Sequence, residues 1–156
     1  MLDCVEALHS VGYIHGDLKF QNVLTSLNPD LDRVFLIDFG LSYKYLTPEG
    51  GHIEKVKRGH FSGNFLFSSL NQCRTYTVSR RDDIESLLYM LIFMLNKYYL
   101  PWCDYQERFH ENKINLSQLL KKRIRSKMTQ RVIQLIPSTL HNSFKNVLLL
   151  GFDEKP

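Results

Sequence analysis

Residues 79–102, SRRDDIESLLYMLIFMLNKYYLPW, place the strongest constraint on how this chain can fold. Ser79 suits a helix N-cap, and Asp82 and Asp83 suit the first turn, where carboxylates meet the positive end of the helix dipole. Over residues 87–95 the run is apolar on every face, and such a helix has no side to offer to water. It is also too short to span a bilayer, which takes about 20 apolar residues. The segment is therefore expected to be a central helix, buried all round. Asp83, at its start, is then placed inside the domain, where it can accept backbone N–H groups from the turn His15-Gly16-Asp17.

That turn opens the second informative stretch, residues 13–40, which runs YIHGDLKFQNVL, a polar tract containing NPDLD, then RVFLIDFG. A short apolar run (Val23, Leu24), turn formers (Asn28, Pro29, Asp30) and a second apolar run (residues 34–37) read as a β-hairpin. A hairpin returns on itself, so Asn22 and Asp38 are expected at the same end. Two oxygen donors side by side suit Mg²⁺, a hard cation held by few protein ligands together with substrate phosphates. Asp17, earlier on the same loop, is then placed to orient a hydroxyl for attack.

Around these two stretches the chain reads as one mostly helical domain. Its 156 residues suffice for a sizeable core. Leu2, Val5, Ala7, Leu8 and Val11 have near-helical spacing, and Gly12 is a helix stop. Residues 41–79 hold few long apolar runs and several turn formers (Pro48, Gly50, Gly51, Gly59, Gly63), which predicts a long irregular segment of functional character. Lys55, Lys57 and Arg58 form a small basic cluster there, expected to be a solvated face. Beyond Trp102 the chain turns polar. Leu116, Leu119, Leu120 and Ile124 predict an amphipathic helix with Lys121, Lys122, Arg123, Arg125 and Lys127 on its outer face. Residues 132–136 form a short apolar turn stopped by Pro137, and Ser138 is expected to cap a last helix carrying Phe144.

The net charge of +4 gives no argument for nucleic acid. No membrane-spanning or signal-peptide pattern is present, since Asp3 and Glu6 interrupt the start. Cys4, Cys73 and Cys103 are odd in number, scattered and outside C-x-x-C spacing, so free thiols in a reducing cytoplasmic or nuclear compartment are expected.

The spacing H-x-D-L-x-x-x-N followed by D-F-G resembles the catalytic loop and metal-binding segment of protein kinases. RVFLIDFGLSYKY, SRRDDIESLLYML, LPW and FDEKP together look like the C-terminal lobe of casein-kinase-1-type enzymes, with Ser69-Leu70-Asn71 where other kinases carry Ala-Pro-Glu. The resemblance implies a mainly α C-terminal lobe, residues 1–156, with a small β-hairpin at its active edge. It implies transfer of the ATP γ-phosphoryl group to Ser or Thr of a protein substrate. By matching positions, Asp17 is the catalytic aspartate and Lys19 contacts the γ-phosphate. Asn22 and Asp38 hold Mg²⁺, and Leu24 and Ile37 line the adenine floor. His15 and Phe39 are packing elements that keep Asp38 aimed.

Several positions depart from the family pattern. Gly16 replaces an Arg that pairs with a phosphorylated activation segment, as in the vaccinia-related kinases, which also read HGD. Phe20 stands for a Pro, Leu88 for a Gly, and Leu66 for an Arg that reads primed substrates. Asn64 replaces a Thr that seats Asp17, and its amide can also donate. Nothing matches the Gly-rich loop, the ATP-binding Lys or its Glu partner, so an N-terminal lobe is expected in the full-length protein. Two rival functions remain: a small-molecule phosphotransferase, several of which share an H-G-D-x-x-x-x-N loop, and a non-catalytic, pseudokinase-like binding module.

Overall fold

The structure, a computed structural model, describes residues 1–28, 30–31, 33–127 and 131–156. Helix α3 (Arg80–Leu95) is its axis. It starts in reciprocal bonds between Ser79 and Asp82: the Ser79 N–H donates to the Asp82 carboxylate at 2.8 Å, and the Asp82 N–H donates to the Ser79 carbonyl at 3.0 Å. Tyr89, Met90 and Ile92 of α3 are buried with Val5, Leu18, Phe67, Leu100, Trp102, Val132, Ile136 and Phe144 in one core. The Tyr89 and Trp102 rings meet edge to face at 5.2 Å, a favoured aromatic geometry.

The expectation of burial all round fails at one end of this helix. Met94 and Leu95 are about half exposed. The chain reverses just beyond them through Lys97 and Tyr98, both at positive φ, and so leaves the last turn at the rim.

Helix α1 (Leu2–Ser10) packs its buried Val5 and His9 toward α3 and ends at Gly12, whose φ of +85° favours glycine. Strands β2 (Val23–Thr25) and β3 (Val34–Leu36) form the expected antiparallel hairpin, with Val23 opposite Leu36 and Leu24 opposite Phe35. At its tip the Asn28 side chain accepts from the Asp30 N–H at 3.0 Å, an Asx turn; Pro29 lies outside the described residues. A second pair joins β1 (Tyr13–Ile14) to β4 (Tyr43–Lys44) and fastens the start of the irregular segment beside the turn His15-Gly16-Asp17. Residues 41–79 are otherwise irregular, with the one-turn helix α2 (Leu70–Cys73) and isolated bridges at Leu46–His52 and Lys57–Tyr76.

Helices α4 (Cys103–His110), α5 (Leu116–Lys127), α6 (Arg131–Gln134) and α7 (His141–Leu149) complete the α-helices among the described residues. Helix α4 falls in the stretch read only as polar, because its alternating charges carry a weak apolar signal. Ser138 opens a 3₁₀ turn (Ser138–Leu140) and does not cap α7 with its side chain.

The assignment of Arg123 to the solvated face of α5 is wrong. Arg123 is fully buried, donates to the Ser68 carbonyl at 2.8 Å, and stacks 3.8 Å over the Trp102 ring. Four residues after buried Leu119, it shares that residue's face of the helix. A planar, weakly hydrated guanidinium can lie on an indole and still keep a hydrogen bond. Lys121 is exposed as expected, whereas the side chains of Arg125 and Lys127 lie outside the described residues. Among the described residues no helix is long and apolar enough to cross a membrane.

Candidate active site

The turn His15-Gly16-Asp17 hangs from the start of α3. The His15 N–H donates to Asp83 Oδ2 at 2.8 Å and the Gly16 N–H to Asp83 Oδ1 at 3.0 Å. His9 Nε2 adds a third contact to Oδ2 at 2.9 Å. Asp83 is buried, so these donors satisfy a carboxylate that would otherwise be costly to remove from water. Asp82, beside it, has its carboxyl pushed up to about 6 by burial and by the neighbouring Glu85, although Asn71 and Ser79 donate to it.

Gly16 has a φ of +76°, and a Cβ there would stand 2.9 Å from the Leu41 carbonyl oxygen. The missing Arg is thus a backbone requirement of this turn as well as a lost charge.

Asp17 is buried, and three neighbours converge on it. Asn64 Nδ2 donates to Oδ1 at 3.0 Å and Lys19 Nζ to Oδ2 at 2.6 Å. Asn22 Nδ2 donates to the Asp17 carbonyl at 2.9 Å. Asn64 also donates to the Leu18 carbonyl at 2.9 Å and accepts the Phe67 N–H at 2.7 Å, which fixes the orientation of its amide. An amide therefore does the seating expected of a hydroxyl at this position.

The Ile37 N–H donates to the Asn22 carbonyl at 3.0 Å, so the hairpin returns the segment before Asp38 to the neighbourhood of Asn22. Because Asn22 Nδ2 faces Asp17, its Oδ1 is the atom left for a cation. Asp38 is exposed, has a φ of +61°, and receives the Gly40 N–H at 3.3 Å. These two hard oxygen donors fit Mg²⁺ completed by phosphate and water. His15 sits between turn and hairpin. Its Nδ1 accepts the Asp17 N–H at 3.3 Å, which leaves the ring proton on Nε2 to be donated to the Ile37 carbonyl at 3.2 Å. The His15 ring, fully buried as a packing element should be, lies 5.4 Å from that of Phe39, which is itself half exposed.

Leu24 and Phe35 are a cross-strand pair about half exposed, and Ile37, 36% exposed, follows them on the hairpin. Val23 and Leu36, paired on the other face, pack toward the core. Phe35 is the apolar neighbour that the motif reading missed; strand alternation from Ile37 would have found it. Leu66, at the position of the primed-substrate Arg, is partly buried and gives its carbonyl to Trp102 Nε1 at 2.9 Å.

Comparison with known proteins shows the family. The protein kinase domain model matches residues 1–148, and the chain belongs to the protein kinase family. Within it, the chain is similar to serine/threonine kinases of the casein-kinase-1 type. It is 41% identical over 104 residues to a probable casein kinase I homolog of Encephalitozoon cuniculi, covering 67% of this chain and 31% of that protein. It is 33% identical to the casein kinase 1-like protein HD16 of rice, Oryza sativa subsp. japonica, covering 99% of this chain and 22% of that one. It is 35% identical to the human serine/threonine-protein kinase VRK2, covering all of this chain and 30% of that one. The chain thus spans less than a third of the length of each of these relatives.

Proposed function

We propose that residues 1–156 are the C-terminal lobe of a serine/threonine protein kinase. Joined to an N-terminal lobe, this lobe would transfer the γ-phosphoryl group of ATP to a Ser or Thr hydroxyl of a protein. The observation that carries the proposal is the held carboxylate of Asp17, on a turn anchored to the central helix and next to a hairpin that presents Asn22 and Asp38.

Phosphoryl transfer asks a protein mainly for positioning and for charge neutralisation. Asp17 accepts the hydrogen bond of the incoming hydroxyl and orients it in line. The hydroxyl oxygen forms the new bond to phosphorus, the bond to the β,γ-bridging oxygen breaks, and the hydroxyl proton passes to Asp17. Lys19, held at 2.6 Å from Asp17, is close enough to turn its ammonium toward the transferred group. Asn22 and Asp38 would hold Mg²⁺, which supplies neutralising charge on the phosphates. Leu24 and Ile37 form the apolar floor for adenine, with Phe35 beside them, and the same exposed face suits an upper lobe. Free Cys4, Cys73 and Cys103 suit a reducing compartment, cytoplasmic or nuclear.

Without an N-terminal lobe the β- and γ-phosphates lose most of their donors, so the chain alone should bind ATP weakly and transfer nothing measurable. Fusion of a casein-kinase-1-type N-terminal lobe ahead of Met1 should restore phosphorylation of a protein substrate. Asp17-dependent phosphorylation of a peptide by the 156-residue chain alone would refute the two-lobe requirement. Turnover of a small amino alcohol in place of casein would refute the protein-kinase assignment, and absence of any transfer by the fused protein would leave a binding module.

A further inference from the structure

Gln72 has no part in the family motif, yet its side chain reaches from α2 into the catalytic turn. Its Nε2 donates to the Gly16 carbonyl at 2.6 Å and lies 3.4 Å from the Ser62 carbonyl. Its Oε1 accepts the Ser69 N–H at 2.9 Å and closes the capping box of α2. Gln72 and Gly16 are both buried.

The room for this amide comes from another glycine. A Cβ on Gly63 would stand 2.8 Å from Gln72 Nε2 and 3.1 Å from the Gly16 carbonyl oxygen, and Gly63 has a φ of +106°. A side chain at 63 would therefore displace the amide from the carbonyl.

We propose that Gln72 is a positioning residue for phosphoryl transfer, clamping the peptide between Gly16 and Asp17 and thereby aiming the Asp17 carboxylate. The inference rests on the kinase function proposed above. A peptide unit is planar, so holding the Gly16 oxygen also fixes the direction in which the backbone enters Asp17. Glycine gives that joint little stiffness of its own. Asp83 holds the plane before Gly16 through its N–H, and Gln72 holds the plane after it through its carbonyl. Helix α2 is coupled in this way to the catalytic aspartate without touching it.

The test compares Gln72→Glu and Gln72→Met in the lobe-complete protein. The Glu variant keeps an oxygen for the Ser69 N–H but loses the donor to Gly16; the Met variant loses both without burying a charge. In both, kcat should fall about tenfold or more while KM for ATP and peptide stays within about twofold, because the aim of Asp17 matters in the transition state. A folded variant with kcat within about twofold of wild type, or a change confined to KM, would overturn the proposal. Side-chain amide hydrogen exchange in the unsubstituted protein tests the clamp independently of how the variants fold. The Gln72 amide protons should be strongly protected, and exchange as fast as that of exposed glutamines would overturn it. An inactive wild-type enzyme with a protected Gln72 amide would instead refute the kinase function and leave the clamp standing.

Discussion

Asp83→Asn probes the joint between the central helix and the catalytic turn, and the geometry fixes what it should cost. The two backbone donors meet different oxygens of the carboxylate, His15 N–H at Oδ2 and Gly16 N–H at Oδ1. Whichever way the new amide turns, its NH₂ faces one of those N–H groups. The better orientation keeps oxygen at the Oδ2 site, where His15 and His9 both bond, and sets nitrogen against Gly16. A hydrogen bond to a charged group is lost, at about 1.5–3 kcal/mol, and a buried donor is left unpaired, at about 1–3 kcal/mol. The expected destabilisation is about 3–5 kcal/mol, a large part of the roughly 5–15 kcal/mol that holds a domain together. Urea unfolding of the lobe-complete protein, followed by circular dichroism, measures it directly, and phosphoryl transfer should fall with the loosened turn. A loss below about 0.5 kcal/mol would show that the Asp83 contacts do not hold the turn.

Further consequences are open to measurement. Asp38→Asn should reduce phosphoryl transfer to background while stability changes by less than about 0.5 kcal/mol, since the side chain is exposed; near-normal activity would remove Asp38 from the metal site. Gly16→Ala should destabilise by about 2–4 kcal/mol, from the positive φ and the approach to the Leu41 oxygen, as read by denaturant midpoint. With no Arg at position 16, phosphatase treatment should change kcat by less than about tenfold, and a larger loss would point to Lys44 or Arg58 as the cationic partner. Asp82 holds its proton in the folded state up to about 6, whereas the unfolded carboxyl ionises near 3.8. Between those values the folded state binds more protons, so stability from this group falls as pH rises, by about 3 kcal/mol in all. Asp82→Asn should remove that slope, and parallel stability–pH curves for the two proteins would refute the assignment.

Much of the frame was legible because single residues carried it. The all-apolar run fixed α3, and Ser79 with Asp82 fixed its start. The turn formers between two short apolar runs fixed the hairpin, and the position of Asp83 anticipated its two backbone donors. Asn64 could be seen to replace a hydroxyl, since an amide donates as well.

What stayed hidden depended on partners distant in sequence. Arg123 reads as a surface charge until Trp102 and the Ser68 carbonyl are brought to it across the core. The pairing of β1 with β4 involves two residues on each side, too few for any alternation to register. Gln72 looks like an ordinary polar residue of a loop, because the Gly16 carbonyl that gives it purpose lies 56 positions away. The exposure of Met94 and Leu95 follows from where the chain reverses, which apolar periodicity does not encode.

The most direct measurement is transfer of labelled phosphate from Mg·ATP to a serine peptide by the lobe-complete protein, beside its Asp17→Asn variant matched for folding. An active enzyme is expected, with kcat lowered at least about a hundredfold by loss of the carboxylate that orients the hydroxyl and takes its proton. No transfer by the wild type, or a variant within about twofold of it, would contradict the assignment of phosphoryl transfer to Asp17.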